Sequence, residues 1–131
     1  MSGNAPVTGG CLCGAVRFTA TGAPTRAGLC HCRDCQRSHA SPAYHFIVYP
    51  VGKVVIDGSP VPCGTASGYD RAFCSTCGSQ AVAFMQDEVE LSGPCFDDPH
   101  AALAPQYELW TIRRLAWLAP LDVPQFERNR D

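Results

Sequence analysis

The alternation of apolar and polar positions predicts a chain built from short β-strands. Within Ala15–Ala20 the residues at positions 16, 18 and 20 are apolar, which is the two-residue period of a strand with one buried face. The segment Tyr44–Tyr49 is rich in aromatic and β-branched residues, which also favour strands. The same signals recur between turns, in Lys53–Ile56, Ser67–Phe73, Gln80–Met85, Asp87–Leu91 and Gln106–Trp110. This spacing favours a mainly β fold with little helix.

The remaining segments predict turns and loops. Cys30–Ser41 combines polar and metal-ligand residue types without clean periodicity, so we expect a loop there, with one helical turn after Asp34 at most. Residues 94–105 are predicted to form a loop, and the proline-bearing tail to Asp131 is expected to wrap across the surface. Twelve glycines and eleven prolines agree with many turns.

The length predicts one domain. A chain of 131 residues is long enough to bury most of its apolar surface around a single core. We expect the domain to span residues 1–131, with a core over about 9–126, a leader over 1–8 that ends near the Gly9-Gly10 pair, and a short tail over 127–131.

The net charge and the lack of targeting motifs limit the kinds of partner that we expect for this protein. The formal net charge is −2 and basic residues are scattered, which argues against binding to nucleic acid. The first ten residues have neither a basic nor an apolar region of a secretory signal, and no apolar run approaches the ~20 residues of a membrane span. We therefore expect a cytoplasmic protein with a small-molecule partner and no membrane partner. Its oligomeric state is left open.

The cysteines are the candidate metal ligands of this chain. Seven of the nine cysteines fall into three tight clusters, Cys11-x-Cys13, Cys30-x-Cys32-x-x-Cys35 and Cys74-x-x-Cys77. A structural zinc ion takes four protein ligands, whereas a catalytic zinc ion takes three and keeps a position open. Seven thiols therefore predict two zinc ions per chain, one in a closed site and one in an open site.

The closed site is predicted to combine the first and last clusters. Each of them supplies half of a tetrahedron, so Cys11 and Cys13 must meet Cys74 and Cys77 in space. The free energy of metal binding would then contribute directly to folding. The alternative for the CxxC pair is a redox dithiol, but that motif precedes a helix in a βαβ unit, and here strand-like sequence follows it.

The open site is predicted at Cys30, Cys32 and Cys35. An external thiol is a natural fourth ligand, because zinc binds sulfur well and bound thiols ionise near neutral pH. Alternatively the protein completes the tetrahedron itself, with a ligand among Cys63, Cys95, His31 and His39. Arg33 and Arg37 flank the third cysteine and are candidates for binding substrate carboxylates.

The motifs resemble those of the glutathione-dependent formaldehyde-activating enzyme family, whose domain centromere protein V shares. The resemblance rests on residues 9–18 (GGCLCGAVRF), 30–35 (CHCRDC) and 73–78 (FCSTCG), and extends to the Asp97-Asp98-Pro99 segment and to Trp110. One departure is Glu108, where family members often carry a histidine two residues before the tryptophan.

The resemblance implies a β-tent fold, in which small coiled antiparallel sheets are held by zinc. It implies the structural ion at Cys11, Cys13, Cys74 and Cys77, and the functional ion at Cys30, Cys32 and Cys35, facing glutathione as co-substrate. The implied activity is that of a carbon–sulfur lyase, which condenses formaldehyde with glutathione to S-hydroxymethylglutathione. Glu108 is the one candidate for a general base, and a surface carboxylate is the simpler interpretation.

Two other functions are compatible with these motifs. The first is a non-catalytic, zinc-stabilised module that binds a protein partner. The second is a zinc-containing methionine sulfoxide reductase, which would need a redox cysteine outside the ligand sets and therefore Cys63 or Cys95. The occupant of the fourth position at the second zinc site separates an enzyme from a scaffold.

Overall fold

The computed structural model describes residues 5–64 and 68–130, and within them the fold is mainly β with one short α-helix. The strands, numbered in chain order, are β1 (Val7–Gly10), β2 (Arg17–Ala20), β3 (Arg26–Cys30), β4 (Tyr44–Pro50), β5 (Val54–Asp57), β6 (Val61–Pro62), β7 (Tyr69–Phe73), β8 (Val82–Met85), β9 (Glu88–Ser92) and β10 (Glu108–Leu109). The helix α1 spans Arg33–His39. Short 3₁₀ turns complete the connections. The predicted mainly β class is confirmed.

The strands form two sheets. The smaller sheet has the order β1-β2-β5, and the larger one the order β10-β3-β4-β9-β8-β7-β6. Every neighbouring pair is antiparallel except β10 and β3, which run parallel because the chain returns to that edge after the long loop from Gly93 to Tyr107. The small antiparallel sheets agree with the expectation, apart from this parallel edge.

The main core lies between the two sheets. From the smaller sheet, Phe18 and Ala20 point inward, as the alternation predicted. From the larger sheet, Ile47 and Leu91 are completely buried against them. The ring of Phe96 packs edge-on to that of Phe18, with 5.2 Å between the ring centroids.

A second apolar cluster covers the opposite face of the larger sheet. Phe46 and Val48 alternate with the core residues of β4 and pack with Tyr107. Strand β4 is therefore buried on both faces, which explains why its sequence is apolar without alternation. Cys30 and Cys35 belong to this second cluster, so it forms the floor under one of the cysteine groups.

Some local predictions were wrong. Residues 7 and 8 of the expected leader belong to β1, which is in register with β2. The predicted loop Cys30–Ser41 contains the seven-residue helix α1, which begins after Cys32 and ends at Ala40 in a left-handed conformation. Strand β3 was not predicted at all, because its RAGLC sequence has a glycine at the centre. The first two residues of the predicted strand Ser67–Phe73 precede the observed start at Tyr69, and Ser67 lies outside the described residues.

After β10 the chain loops away and then returns to pair in parallel with the same strand, with Gln125 beside Glu108. The amide of Glu108 donates to the carbonyl of Pro124, and the amide of Phe126 donates to the carbonyl of Glu108. The tail is therefore held against β10 by backbone hydrogen bonds, as expected for a surface-wrapping segment. Among the described residues, none of the helices has the length and apolarity that crossing a membrane requires. The single-domain organisation and the cytoplasmic location stay predictions.

Candidate metal centres and cleft

The first group of cysteines unites two distant parts of the chain. The sulfur atoms of Cys11, Cys13, Cys74 and Cys77 all lie within 4.8 Å of one another. The Cys13 sulfur is 3.7 Å from those of Cys11 and Cys74. Four sulfurs bound tetrahedrally at ~2.3 Å would be ~3.8 Å apart, so these two distances match those of a four-cysteine zinc site.

Two similar turns position these four thiols. In the first, Gly14 has φ 85° and the Cys11 amide bonds to the Val16 carbonyl. In the second, Gly78 has φ 82° and its amide bonds to the Cys74 carbonyl. Both glycines follow the last cysteine of their cluster directly, because the chain must adopt a left-handed conformation there to reverse.

Backbone amides also point at the sulfurs of this group. The Val16 amide lies 3.2 Å from the Cys11 sulfur, and the Thr76 amide lies 3.4 Å from that of Cys74. Ser79 joins the two turns, because its hydroxyl accepts from the Leu12 amide at 3.1 Å and lies 3.3 Å from the Cys77 sulfur. Donors arranged in this way stabilise thiolates, which are the metal-binding form of cysteine.

The second group consists of Cys30, Cys32 and Cys35, whose sulfurs also lie within 4.8 Å of one another. Cys30 ends β3, Cys32 caps α1, and Cys35 lies in the first turn of that helix. The Cys35 amide donates to the Cys32 sulfur at 3.3 Å. The helix therefore brings the second and third thiols back toward the strand that carries the first.

The three thiols share their charge unequally. Hydrogen bonds from Cys30 and Cys35 lower the pKa of Cys32 to about 2, whereas hydrogen bonds with Cys32 and Cys35, together with burial, raise the pKa of Cys30 strongly. Arg71 adds a positive charge, since its Nη2 lies 3.5 Å from the Cys35 sulfur. This electropositive, thiol-rich setting fits a soft divalent cation such as zinc.

Within the described residues, the second group has three ligand residues and gains no fourth. His31 lies between two of the cysteines but is completely buried, and its Nε2 is 2.6 Å from the Glu108 carboxylate. The ring of His39 stacks on that of Tyr44, with 3.8 Å between centroids. Cys63 is exposed and Cys95 is half-buried. All four residues lie outside the cysteine groups that the structure forms.

The second group opens into a cleft of about 330 Å³, whereas the first does not line it. Aromatic side chains form much of the wall, among them Tyr44, Tyr69, Tyr107 and Trp110. The other lining residues that matter here are charged or polar: Arg26, Arg71, Glu90, Asn129 and Arg130. A cleft that combines aromatic side chains with convergent polar groups is a common form of small-molecule site.

The cleft arginines differ from those that the sequence suggested. Arg33 and Arg37 do not line the cleft, and Arg33 instead donates to Gln36 at 2.7 Å. Of the arginines that do line it, Arg26 is bound by both carboxylate oxygens of Glu88 at 3.0 Å. The guanidinium of Arg130 lies 4.8 Å from the ring centroid of Tyr107 and forms no ion pair with any described residue.

The position of Glu108 fits neither of the two roles considered from the sequence, a general base or a surface carboxylate. It is 1% exposed, so it is no surface carboxylate, and it does not line the cleft. Glu90, which the sequence analysis missed, is the carboxylate that does line it. The sequence carried no signal for it, because the strand sequence EVELS holds two glutamates in equivalent local settings.

The comparisons agree with this picture. The model of the family described as glutathione-dependent formaldehyde-activating enzyme matches residues 6–113. The chain therefore belongs to the glutathione-dependent formaldehyde-activating enzyme family. A crystal structure of a Rhodobacter sphaeroides protein has a similar fold, with a TM-score of 0.59 at 18% identity, over 90% of this chain and 98% of the other. None of the curated proteins matches the chain.

Proposed function

We propose that the protein is a zinc-dependent carbon–sulfur lyase that makes or breaks the adduct of a glutathione-like thiol with a small aldehyde. The observation that carries the proposal is the position of Cys30, Cys32 and Cys35, which face the cleft as a three-ligand group. Membership of the formaldehyde-activating family supports the reaction class.

The two cysteine groups would have different roles, one structural and one catalytic. Cys11, Cys13, Cys74 and Cys77 would hold a structural zinc ion that closes the fold. A second zinc ion at Cys30, Cys32 and Cys35 would supply a Lewis acid that favours the thiolate form of a substrate sulfur. Because none of the described residues adds a fourth ligand to this second group, the substrate sulfur has room to approach.

The cleft would bind and orient the rest of the thiol substrate. Arg130 stands at the aromatic wall with donors that no described carboxylate occupies, so it can bind a substrate carboxylate. The side chains of Tyr107 and Trp110 would cover the apolar part of the substrate and exclude water. A thiol that carries a carboxylate, such as glutathione, therefore matches the lining.

Adduct formation from glutathione and ¹³C-formaldehyde, followed by NMR, tests the proposal. We expect the zinc-loaded protein to accelerate the appearance of S-hydroxymethylglutathione over the uncatalysed rate. Cys35→Ala should remove the acceleration, whereas Cys63→Ser, which changes an exposed cysteine outside both groups, should keep it. A wild-type rate equal to the uncatalysed one would contradict the proposal and favour a non-catalytic binding module.

A further inference from the structure

The cleft contains a buried carboxylate that the zinc sites do not use. Glu90 is 8% exposed and lies on β9 opposite Val48 of β4 and Ala83 of β8. It lines the same cleft as the three cysteines. Removing a carboxylate from water costs free energy, so a residue held in this way needs compensating contacts or a role that requires it.

Two tyrosines provide most of the compensation. The Tyr69 hydroxyl donates to Oε1 of Glu90 at 2.5 Å, and Tyr44 also hydrogen-bonds to this carboxylate. Tyr69 and Tyr44 themselves line the cleft. Among the described residues Glu90 forms no ion pair, so the carboxylate is held mainly by hydroxyl groups.

The surroundings of Glu90 leave its pKa above the ordinary value. Burial raises the pKa of Glu90, and hydrogen bonds from Tyr69 and Tyr44 together with the charges of Arg71 and Arg26 offset only part of that effect. These four residues come from β7, β4 and β3, and β8 carries no titratable side chain. On its own strand, the nearby Glu88 is bound to Arg26. A raised pKa makes a carboxylate a stronger base, which favours its use in proton transfer.

We infer that Tyr69 and Glu90 form the proton-transfer pair of this cleft, which accepts the proton of the incoming thiol and returns it to the aldehyde oxygen. The inference rests on the proposed function and adds the group that the reaction needs besides the cysteines. Tyr69 would contact the reacting atoms, and Glu90 would hold the proton behind it.

The proton and electron changes balance over one cycle. The S–H bond of the thiol breaks, its proton passes to the Tyr69 oxygen, and the Tyr69 proton passes to the Glu90 carboxylate. The sulfur then forms a bond to the carbonyl carbon, and the π electron pair moves to the carbonyl oxygen. That oxygen takes a proton from Tyr69, which regains its own from Glu90. The adduct forms without any net change in the pair, and the reverse sequence cleaves it.

Other titratable groups near the cysteines are less suited to this task. Glu108 does not line the cleft, and its carboxylate is occupied by contacts with His31, Gln125 and the Leu121 amide. His39 lies behind Tyr44 and does not line the cleft either. Tyr69 and Glu90 are adjacent to each other and face the space into which the cysteines open.

The test compares Glu90→Gln and Tyr69→Phe with wild type in the formaldehyde–glutathione NMR assay across pH. Asp70→Asn is the matched control, because Asp70 is an exposed neighbour on β7 that does not line the cleft. We expect Glu90→Gln and Tyr69→Phe each to reduce the rate about 100-fold or more, which is the usual contribution of a general acid or base. Asp70→Asn should retain the wild-type rate.

The pH dependence separates proton transfer from a structural role. In wild type the rate should fall as the pH drops through the pKa of Glu90, above the ordinary value of about 4.3. The ¹³C signal of the Glu90 carboxyl carbon should titrate over the same range. The Tyr69→Phe variant keeps the Glu90 carboxylate. The pH dependence can therefore still be measured in Tyr69→Phe if Glu90→Gln fails to fold.

The outcomes distinguish this inference from the proposed function. An inactive wild type would remove both together. An active wild type whose rate changes less than threefold in Glu90→Gln or Tyr69→Phe, or whose pH–rate profile is the same with and without these substitutions, would overturn the proton-transfer pair alone. Loss of rate together with loss of the acidic limb in folded variants would support it.

Discussion

The Nε2 atom of His31 lies 2.6 Å from Oε1 of Glu108, and both side chains are almost completely buried. The contact joins β10 to the short connection between Cys30, which ends β3, and Cys32, which caps α1. Glu108 also accepts from the Leu121 amide at 2.7 Å and from Gln125 Nε2 at 2.9 Å. One buried carboxylate therefore connects the second cysteine group to the C-terminal segment that supplies a wall of the cleft.

This contact predicts that Glu108→Gln destabilises the protein. The amide would replace one accepting oxygen by a donor beside Gln125 and remove the charge that strengthens the other hydrogen bonds. We expect a loss of about 2 kcal/mol in the free energy of unfolding at pH 7, measured by denaturant titration, as for hydrogen bonds to a buried charge. Glu127→Gln changes an exposed carboxylate of the same segment and should be nearly neutral.

The stability difference between wild type and Glu108→Gln should depend on pH. Burial alone would raise the pKa of Glu108, but hydrogen bonds from Gln125, the Leu121 amide, His31 and Arg114 hold it at about 2. A carboxylate with a lowered folded pKa stabilises the protein above its unfolded pKa of about 4.3, and this contribution is lost as the pH falls toward 2. A difference that stays constant from pH 6 to pH 3 would contradict this assignment.

Arg130→Met is predicted to weaken binding of thiols that carry a carboxylate. The guanidinium has no described carboxylate partner and lines the cleft beside Tyr107. Since a hydrogen bond to a charged group contributes about 1.5–3 kcal/mol, we expect glutathione to bind about tenfold or more weakly, measured by calorimetry on the zinc-loaded protein.

Two controls make this result specific. Cysteamine, a thiol without a carboxylate, should bind equally to wild type and to Arg130→Met. Arg128→Met should leave glutathione binding unchanged, because Arg128 lies over the Trp110 ring and does not line the cleft. Equal weakening for both thiols would show that Arg130 acts through the shape of the cleft rather than through charge.

Metal removal should affect the two cysteine groups differently. Structural zinc contributes about 10–16 kcal/mol in small domains, as much as the whole stability of a typical domain, so Cys11→Ala should fail to fold. Cys30→Ala should retain the fold and lose one zinc ion, because β3 and α1 are held by backbone hydrogen bonds and by the cluster around Phe46. Circular dichroism and metal analysis measure the two effects; equal unfolding would show that both groups are structural.

The sequence was sufficient for the cysteine groups and for most strands. Metal ligands occur at short spacings with glycine immediately after them, so Cys74, Cys77 and Gly78 are visible as a unit without any knowledge of the fold. Strand β4 was predictable because its aromatic and β-branched residues favour a sheet whichever face is buried.

Features that depend on long-range contact were not predictable. The helix α1 was missed because its residues are mostly polar and include a cysteine, and it is positioned by the cap at Cys32 rather than by periodicity. Nothing local distinguishes Glu90, which lines the cleft, from Glu88, which pairs with Arg26, since they are two residues apart on one strand. Arg130 was missed because its position depends on the return of the tail along β10.

The most direct test of the whole account is cobalt(II) substitution followed by addition of glutathione. Two cobalt ions should bind per wild-type chain, and glutathione should increase the sulfur-to-cobalt charge-transfer absorption by adding a thiolate at the group of Cys30, Cys32 and Cys35. Cys35→Ala should bind one cobalt ion and show no such increase. A wild-type protein that binds a single cobalt ion, or a spectrum that glutathione leaves unchanged at full occupancy of both groups, would contradict the open three-cysteine site.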